Sequence, residues 1–245
     1  MLHELQPHIA DLRKRLMISL AVLIIAFFAC FTVYQPILNW MMIPIEAVLP
    51  AGSKMVAIEV QETFFTALKV SFFAAFLVSL PVIFWQLWLF VSPGLYANEK
   101  KIILPFVFFA TLMFLLGGVF SYYVVVPYGF QFLVGFGSTV VSVMPSIGKY
   151  VSFFTKLVFG FGIAFELPVI TFFFAIIGIV NDQMMKDFFK YAVVIIFIVA
   201  ALLTPPDVLT QFLMAGPLII LYGVSIIVAK TFNPADKIEE EDEDE

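Results

Sequence analysis

The sequence predicts an all-α polytopic membrane protein: one domain of six transmembrane helices over residues 1–230, and a short acidic tail after it. Of its 245 residues, 62% are hydrophobic and only 13% are charged, and the mean hydropathy is +1.06. A soluble domain keeps about a quarter of its residues charged. The surface of this chain therefore requires lipid around it rather than water.

The spans are predicted from apolar stretches of about 20 residues, the helix length that crosses a bilayer core of roughly 30 Å. The first stretch is too long for the hydrophobic region of a signal peptide and has no clear cleavage site, so we expect it to remain as an anchor. The predicted spans are residues 16–34, 64–84, 102–126 and 150–178, with the last two sharing residues 191–228.

The last apolar stretch is interrupted by the sequence TPPD at residues 204–207. Two consecutive prolines cannot continue a helix, because both amide donors are missing and the rings clash with the preceding turn. We interpret this segment as the hairpin tip between the fifth and sixth spans. The fifth span then has only about 14 residues, roughly 21 Å, and we expect the last two spans to be short. Either the membrane thins here or the tip lies below its surface.

The positive charges are distributed asymmetrically between the loops. Six spans place both termini on one side, and nine of the 13 Lys and Arg residues lie on that side, whereas only Lys54 and Lys149 lie in the opposite loops. The positive-inside rule therefore predicts that both termini are cytoplasmic. The tail, residues 231–245, ends in seven consecutive acidic residues and is expected to be disordered.

The sequence offers little support for an enzyme or a metal site. It contains no GxSxG, HExxH or P-loop motif, and both histidines precede the first predicted span. Its single cysteine, Cys30, excludes an intrachain disulfide. We expect no catalytic residue, no cofactor, no metal and no nucleic-acid partner.

Two segments on the terminal side carry carboxylates. Asp11 and Arg15 have the spacing of a helical ion pair. Glu99 follows a helix break at Pro93, in a stretch where Trp85, Trp88 and Tyr96 fit an interfacial aromatic belt.

Each segment has two interpretations. The first is an ordinary interfacial helix and an ordinary loop. The second is a pair of carboxylates displayed at the membrane surface, which could bind a cationic peptide because an arginine fork matches a carboxylate in bidentate geometry.

A third carboxylate, Glu166, lies in the otherwise uncharged stretch 161–178. A charge near the bilayer centre costs roughly 2.5–3.5 kcal/mol on insertion scales, so such residues usually face a bundle interior or a wet cavity. Pro168 should kink the same span. From the residues alone, a secondary transporter or ion channel that uses Glu166 as a proton or cation site remains an alternative to a peptide receptor.

Taken together, these segments resemble the TatC family, the multi-spanning receptor subunit of the twin-arginine protein translocase, over about residues 4–230. The matching positions, in family order, are His8, Leu12, Arg13 and Arg15; Phe90, Pro93, Leu95, Tyr96 and Glu99; Phe165 to Pro168; and Leu203 to Asp207 with Gln211. Two departures stand out. Asp11 replaces the usual Glu, and Lys100 follows the loop glutamate where the family often has Arg.

The resemblance implies a receptor in the bacterial cytoplasmic membrane that binds twin-arginine signal peptides of folded cargo. Its implied fold is a cupped six-helix bundle, its implied partners are the single-span subunits TatA and TatB and further copies of itself, and its implied energy source is the proton-motive force. The implied signal-peptide residues are Glu99 first and Asp11 second, with Phe90, Gln86, Arg13 and Tyr96.

The remaining expectations concern partner binding and structure. Glu166 and Gln211 are expected to form an intramembrane polar site for a partner helix. Pro44 is expected to stiffen the first outer loop. The residues expected to have structural roles are Pro44, Pro93, Pro168, Pro205, Pro206 and Asp207.

Overall fold

The computed structural model describes residues 2–50, 52–91, 103–137, 144–204 and 208–232. Within these ranges the chain is helical and forms no strand; Val56 and Ser146 make one isolated bridge. The helices are α1 (Leu2–Thr32), α2 (Tyr34–Glu46), α3 (Glu62–Val91), α4 (Ile103–Phe120), a π-helical turn (Ser121–Val125), α5 (Val126–Gly137), α6 (Ile147–Phe165), α7 (Leu167–Ile176), α8 (Asp182–Leu203) and α9 (Val208–Phe232).

Five segments of the described chain are long and apolar enough to cross a membrane, which confirms the all-α polytopic class. They are Ile9–Thr32, Glu62–Val91, Leu104–Gly135, Ile147–Ile176 and Thr210–Phe232. Helix α8 is not among them. Its first nine residues include Asp182, Lys186, Asp187 and Lys190, so its apolar part is as short as the sequence predicts for a fifth span. The count of six spans stays a prediction.

The last span is not short, and that prediction is wrong. Helix α9 has 25 residues, and its apolar segment Thr210–Phe232 has 23. The helix continues through Pro217 and through Lys230 in its last turn, beyond the residue where the apolar pattern ends. Thr231 and Phe232, assigned to the tail from sequence, therefore belong to α9, whereas residues 233–245 lie outside the described residues.

The first outer loop contains a helix, α2, and Pro44 lies inside that helix; that Pro44 stiffens the loop stays a prediction. The Pro44 side chain is buried. A proline inside a helix leaves the carbonyl one turn earlier without its amide donor. Here that carbonyl belongs to Trp40, and the Tyr122 hydroxyl donates to it at 2.9 Å. The rings of Trp40 and Tyr122 also stack, with their centroids 4.4 Å apart. Tyr122 thus supplies the hydrogen bond that the Trp40 carbonyl lacks because of the proline.

The third span also continues past its predicted end at Val126. The π-helical turn leads directly from α4 into α5, and Pro127 occupies the first turn of α5. Because the helix is continuous here, Pro127 removes one amide donor from it, and the wider π-helical turn lies directly before this proline. Local π-helical turns absorb such irregularities without ending the helix.

The fourth span is interrupted where Pro168 predicts a kink. Helix α6 ends at Phe165, α7 begins at Leu167, and Glu166 is the single residue between them. Pro168 lies in the first turn of α7. The Glu166 carbonyl still accepts a hydrogen bond from the Ile170 amide at 2.8 Å, so the helix resumes immediately after the break.

The helices pack as pairs around a common core. Helix α1 packs on α3, α4 on α6, and both α7 and α8 on α9, while α3 also contacts α6 and α4. The core between α2, α3, α6 and α9 contains large side chains that are almost completely buried, including Met41, Phe73, Phe154, Phe161 and Met214.

Candidate functional site

The carboxylate predicted at the amino-terminal segment lies on a continuous helix. Asp11, Arg13 and Arg15 all belong to α1, which begins well before its apolar part. The Arg15 Nε atom donates to Asp11 Oδ2 at 2.7 Å, which confirms the predicted ion pair. The Asp11 side chain remains one-third exposed, and Arg13 is exposed. A carboxylate can accept about four hydrogen bonds, so Asp11 keeps capacity for a second cation.

Helix packing relates this segment to the end of α3. Helices α1 and α3 contain consecutive candidate spans and pack against each other, so they run in opposite directions. Asp11 therefore lies at the same end of the bundle as Gln86 and Phe90, which are both half-buried in the last turns of α3. We call this the amino-terminal end of the bundle. Glu99, Tyr96 and Pro93 lie in residues 92–102, outside the described residues.

An aromatic cluster fixes the two helix ends between which residues 92–102 run. Trp88 of α3 is only 3% exposed, and its ring centroid lies 4.1 Å from that of Phe106 in α4 and 4.6 Å from that of Phe173 in α7. The prediction that Trp88 belongs to an interfacial belt is wrong, because α4 and α7 cover its face of α3. Trp85 is 38% exposed; no sequence signal separates the two tryptophans.

The intramembrane carboxylate lies inside the protein. Glu166 is 7% exposed, which agrees with the expectation that it does not face lipid. Its Oε1 atom is enclosed and has no hydrogen-bond partner among the described residues. The described part of the chain therefore supplies no polar partner for this oxygen.

Gln211, the second residue predicted for this site, serves a contact within the chain. Its Nε2 atom donates to the Phe197 carbonyl at 3.0 Å and so ties α9 to α8. No hydrogen bond joins Gln211 to Glu166 in the described chain. Pro205, Pro206 and Asp207 lie outside the described residues, directly after Thr204 at the end of α8.

The arrangement around Glu166 does not assemble a transport site from described residues. A midplane proton or cation site needs several converging polar groups. Among the described residues, the Glu166 Oε1 atom has no hydrogen-bond partner and the carboxylate has no ion-pair partner. The same described residues contain no group of three His, Cys, Asp or Glu side chains that could hold a metal.

A polar junction at the opposite end of the bundle was missed from sequence. Glu62, the first residue of α3, accepts hydrogen bonds from the Gly148 amide at 2.7 Å, the Ile58 amide at 2.6 Å and the Ser146 hydroxyl. It thereby joins α3 and the loop before it to the start of α6. An acidic residue in the first turn of a helix is common, so the sequence gives no sign that this one bridges 86 positions.

The start of α8 has its own charge pair. Lys186 Nζ donates to Asp182 Oδ2 at 2.5 Å across one helical turn. This hydrogen bond holds the pKa of Asp182 below its usual range. The Asn181 side chain caps the helix by accepting from the Met184 amide at 2.8 Å.

Comparison with known proteins gives consistent results over most of the chain. The family model for Sec-independent protein translocase protein (TatC) matches residues 7–217. The chain is 55% identical over 245 residues to the Sec-independent protein translocase protein TatC of Campylobacter jejuni subsp. jejuni, covering 99% of this chain and 100% of the relative. It is 50% identical over 242 residues to that of Helicobacter pylori strain J99, covering 99% and 95%.

The fold is similar to two solved structures. One is the crystal structure of a twin arginine translocase receptor TatC, with a TM-score of 0.82 and 34% identity, covering 91% of this chain and 97% of that chain. The other is the same receptor in DDM, with a TM-score of 0.83 at the same identity, covering 91% and 99%.

Proposed function

The chain belongs to the TatC family of Sec-independent protein translocase proteins, and from this premise we propose that it is the receptor that binds twin-arginine signal peptides of folded cargo. It is a component of protein transport and not an enzyme. The observation that carries the proposal is the half-buried Asp11 carboxylate at the amino-terminal end of the bundle, beside the end of α3 that leads to Glu99.

Recognition of the signal peptide would depend on its positive charge and on the bidentate geometry of its arginine side chains. The two arginines of a signal peptide present planar guanidinium groups that bind carboxylates in bidentate fashion, which lysines cannot do. Glu99 is the first carboxylate that we assign to them. Asp11 is the second, and its existing bond to Arg15 leaves only part of its acceptor capacity for the peptide.

The neighbouring residues would shape and orient this surface. Gln86 and Phe90 lie on the last turns of α3, where Phe90 is already held by contacts within the chain. The aromatic cluster of Trp88, Phe106 and Phe173 fixes the end of α3 and the start of α4, the two helices that precede and follow Glu99 in the sequence. Arg13 on α1 and Tyr96 are the other two residues that we assign to the signal-peptide surface.

We also propose how the receptor meets its partners. Single-span TatA-type and TatB-type subunits would dock through polar residues at membrane depth, with Glu166 and Gln211 as the sites on this chain. An interhelical hydrogen bond in a membrane contributes about 0.6 kcal/mol on average and at most about 1.7. Contacts of that strength allow recruitment and release during transport driven by the proton-motive force. Further copies of the chain would assemble in the same complex.

For location, we propose the bacterial cytoplasmic membrane with both termini in the cytoplasm. The support is the excess of Lys and Arg on the terminal side of the predicted spans. The amino-terminal end of the bundle would then face the cytoplasm, which contains the folded cargo before transport.

The experiment that tests the proposal compares two signal peptides that differ only in their arginine pair. Purified protein in lipid nanodiscs should bind the twin-arginine peptide clearly more tightly than the twin-lysine version. Glu99→Gln should weaken binding by roughly 1–2 kcal/mol, about 5- to 30-fold, because the site borders water, and Asp11→Asn should weaken it less.

The matched control is Asp187→Asn, which removes an exposed carboxylate at the start of α8 and should leave binding unchanged. Equal affinity for both peptides would support the transporter alternative instead. If Glu99→Gln binds as well as the unmodified protein, charge pairing at this position is not the mechanism.

A further inference from the structure

A cavity opens at the end of the bundle opposite Asp11. It has a volume of about 750 Å³ and lies between α3, α6 and the end of α8. Three lysines line it, Lys69 on α3 and both Lys149 and Lys156 on α6, together with apolar side chains such as Phe65 and Leu203. The cavity thus combines positive charge with a hydrocarbon wall.

The lysines share one wall because of helical spacing. Lys149 and Lys156 are seven residues apart, so they lie two turns apart on one face of α6. Ser152 lies between them, and Lys69 Nζ donates to its hydroxyl oxygen at 2.8 Å. Lys69 is likewise seven residues beyond Glu62, the start of α3. Two turns correspond to roughly 10 Å along a helix axis.

The positive charge of this wall exceeds the negative charge that lines the same cavity, because three lysines stand against two carboxylates, Glu59 and Glu62. Both described ion pairs lie elsewhere, at Asp11 and at Asp182. Glu62 keeps its charge, but its carboxylate accepts hydrogen bonds from three amides and from the Ser146 hydroxyl rather than from a lysine. Glu59 accepts a bond from the Gln61 side chain. Among described residues, no carboxylate lies within ion-pair distance of the three lysines.

Two of these lysines lie at membrane depth, and this position favours a lipid headgroup over a soluble anion as the ligand. Lys69 and Lys156 lie inside segments that are apolar enough to span a membrane, where an uncompensated ammonium group is costly. A mobile anion from water would have to enter this layer alone. A lipid headgroup brings its own acyl chains, which can contact the apolar wall that Phe65, Phe153 and Leu202 form.

We propose that this cavity binds the phosphate of an anionic phospholipid, with Lys69, Lys149 and Lys156 around the headgroup. Lysine binds phosphate as a point charge. Basic pockets between transmembrane helices bind anionic headgroups at the cytoplasmic side of other membrane proteins, and we assign the same chemistry to this cavity at the opposite side. A headgroup held two turns below the helix ends thins the membrane locally on this side of α3 and α6. The inference is independent of signal-peptide binding, which concerns the other end of the bundle.

The test uses native mass spectrometry of the purified full-length protein in detergent. The protein is titrated with phosphatidylglycerol and, separately, with phosphatidylcholine of the same chain length. Tighter binding of phosphatidylglycerol is expected. The double variant Lys69→Gln and Lys156→Gln should weaken that binding roughly 30-fold, because each lysine near a membrane surface contributes about fivefold.

Two controls make the result specific. Lys54→Gln changes a lysine at the same end that lines a separate cavity, and it should leave the affinity unchanged. The double variant Lys69→Arg and Lys156→Arg keeps the charge and should retain most of the binding, which separates lost charge from lost folding. Equal affinity of the glutamine double variant and the unmodified protein would overturn the proposal.

A further arm separates the two sources of phosphate. Inorganic phosphate at millimolar concentration is expected not to displace phosphatidylglycerol. If it displaces the lipid fully, the site takes a soluble anion and the lipid assignment is wrong. Equal binding of phosphatidylcholine and phosphatidylglycerol would also overturn it, because the lysines would then not select for net charge.

Discussion

Glu166 places one carboxylate oxygen inside the bundle without a hydrogen-bond partner among the described residues. A buried polar group without a partner costs about 1–3 kcal/mol. The break between α6 and α7 falls at this residue, so the backbone there is already irregular. A polar side chain brought by another helix would supply the missing bond once the bundle opens around this oxygen, and partner docking would then recover part of this cost.

Substitutions of Glu166 separate hydrogen bonding from ionisation at this position. Glu166→Ala should leave signal-peptide binding unchanged but reduce co-purification of the single-span partners and reduce transport. Glu166→Gln should retain much of both, because an amide still forms hydrogen bonds. The measurement is partner co-purification together with export of a twin-arginine cargo. If Glu166→Gln abolishes export while Glu166→Asp preserves it, an ionisable proton is required and the docking role is wrong.

At the scale of helices, the contact between α4 and α6 depends on glycine. A Cβ atom on Gly117 would lie 2.5 Å from the Phe161 carbonyl oxygen and 3.0 Å from the Gly162 Cα atom. On the other side, a Cβ on Gly162 would lie 2.6 Å from the Phe114 ring. Small residues allow helix backbones to approach closely in membranes, where packing rather than water drives association.

The prediction for this contact is that Gly117→Ala destabilises the fold by about 1–3 kcal/mol, the usual cost of overpacking. The obstacle is backbone, which cannot rotate away. Gly118→Ala is the matched control, because its nearest neighbour is the Val158 Cγ1 atom at 3.3 Å, and its effect should be clearly smaller. Unfolding in a denaturing detergent measures both. Equal stability of the two variants would mean that the helices do not approach this closely.

The elements also show which features a sequence can predict. The apolar runs locate the long spans and the break at Pro168, because hydrocarbon length and a missing amide are local properties. The apolar runs do not predict the helical segments that contain Pro44 and Pro127, because both residues lie outside the predicted spans. The hydroxyl that satisfies the Trp40 carbonyl comes from Tyr122, a partner 82 positions away that no local pattern reveals.

In the candidate site, too, local contacts can be predicted from the sequence and long-range contacts cannot. The pair of Asp11 and Arg15 is one helical turn long and was predicted from spacing alone. The burial of Trp88 depends on α4 and α7 covering α3, and the bridge from Glu62 to Gly148 depends on α6. Such contacts join residues that are distant in sequence, so they require the assembled bundle.

For the whole molecule, the two ends of the bundle differ in chemistry. The amino-terminal end carries Asp11, Arg13 and Arg15 and the carboxyl-terminal end of α3, and it is the end to which we assign the signal peptide. The opposite end contains the Glu62 junction and the lysine-lined cavity. A signal peptide and an anionic headgroup would thus bind at opposite membrane surfaces, and both proposals require that the chain has one fixed orientation.

The last prediction tests that orientation. Lys54 lies in the segment between α2 and α3, at the end opposite Asp11, whereas Glu243 lies in the acidic tail after α9. Single cysteines at these two positions, in a background with Cys30→Ala, should respond oppositely to a thiol reagent that cannot cross the membrane. The positive-inside asymmetry predicts labelling of Lys54→Cys, and not of Glu243→Cys, in intact cells with a permeable outer membrane. Both should react once the cells are lysed, which controls for reactivity. Labelling of both positions from outside would place the tail on the same side as the cavity, and an even number of spans would then be wrong.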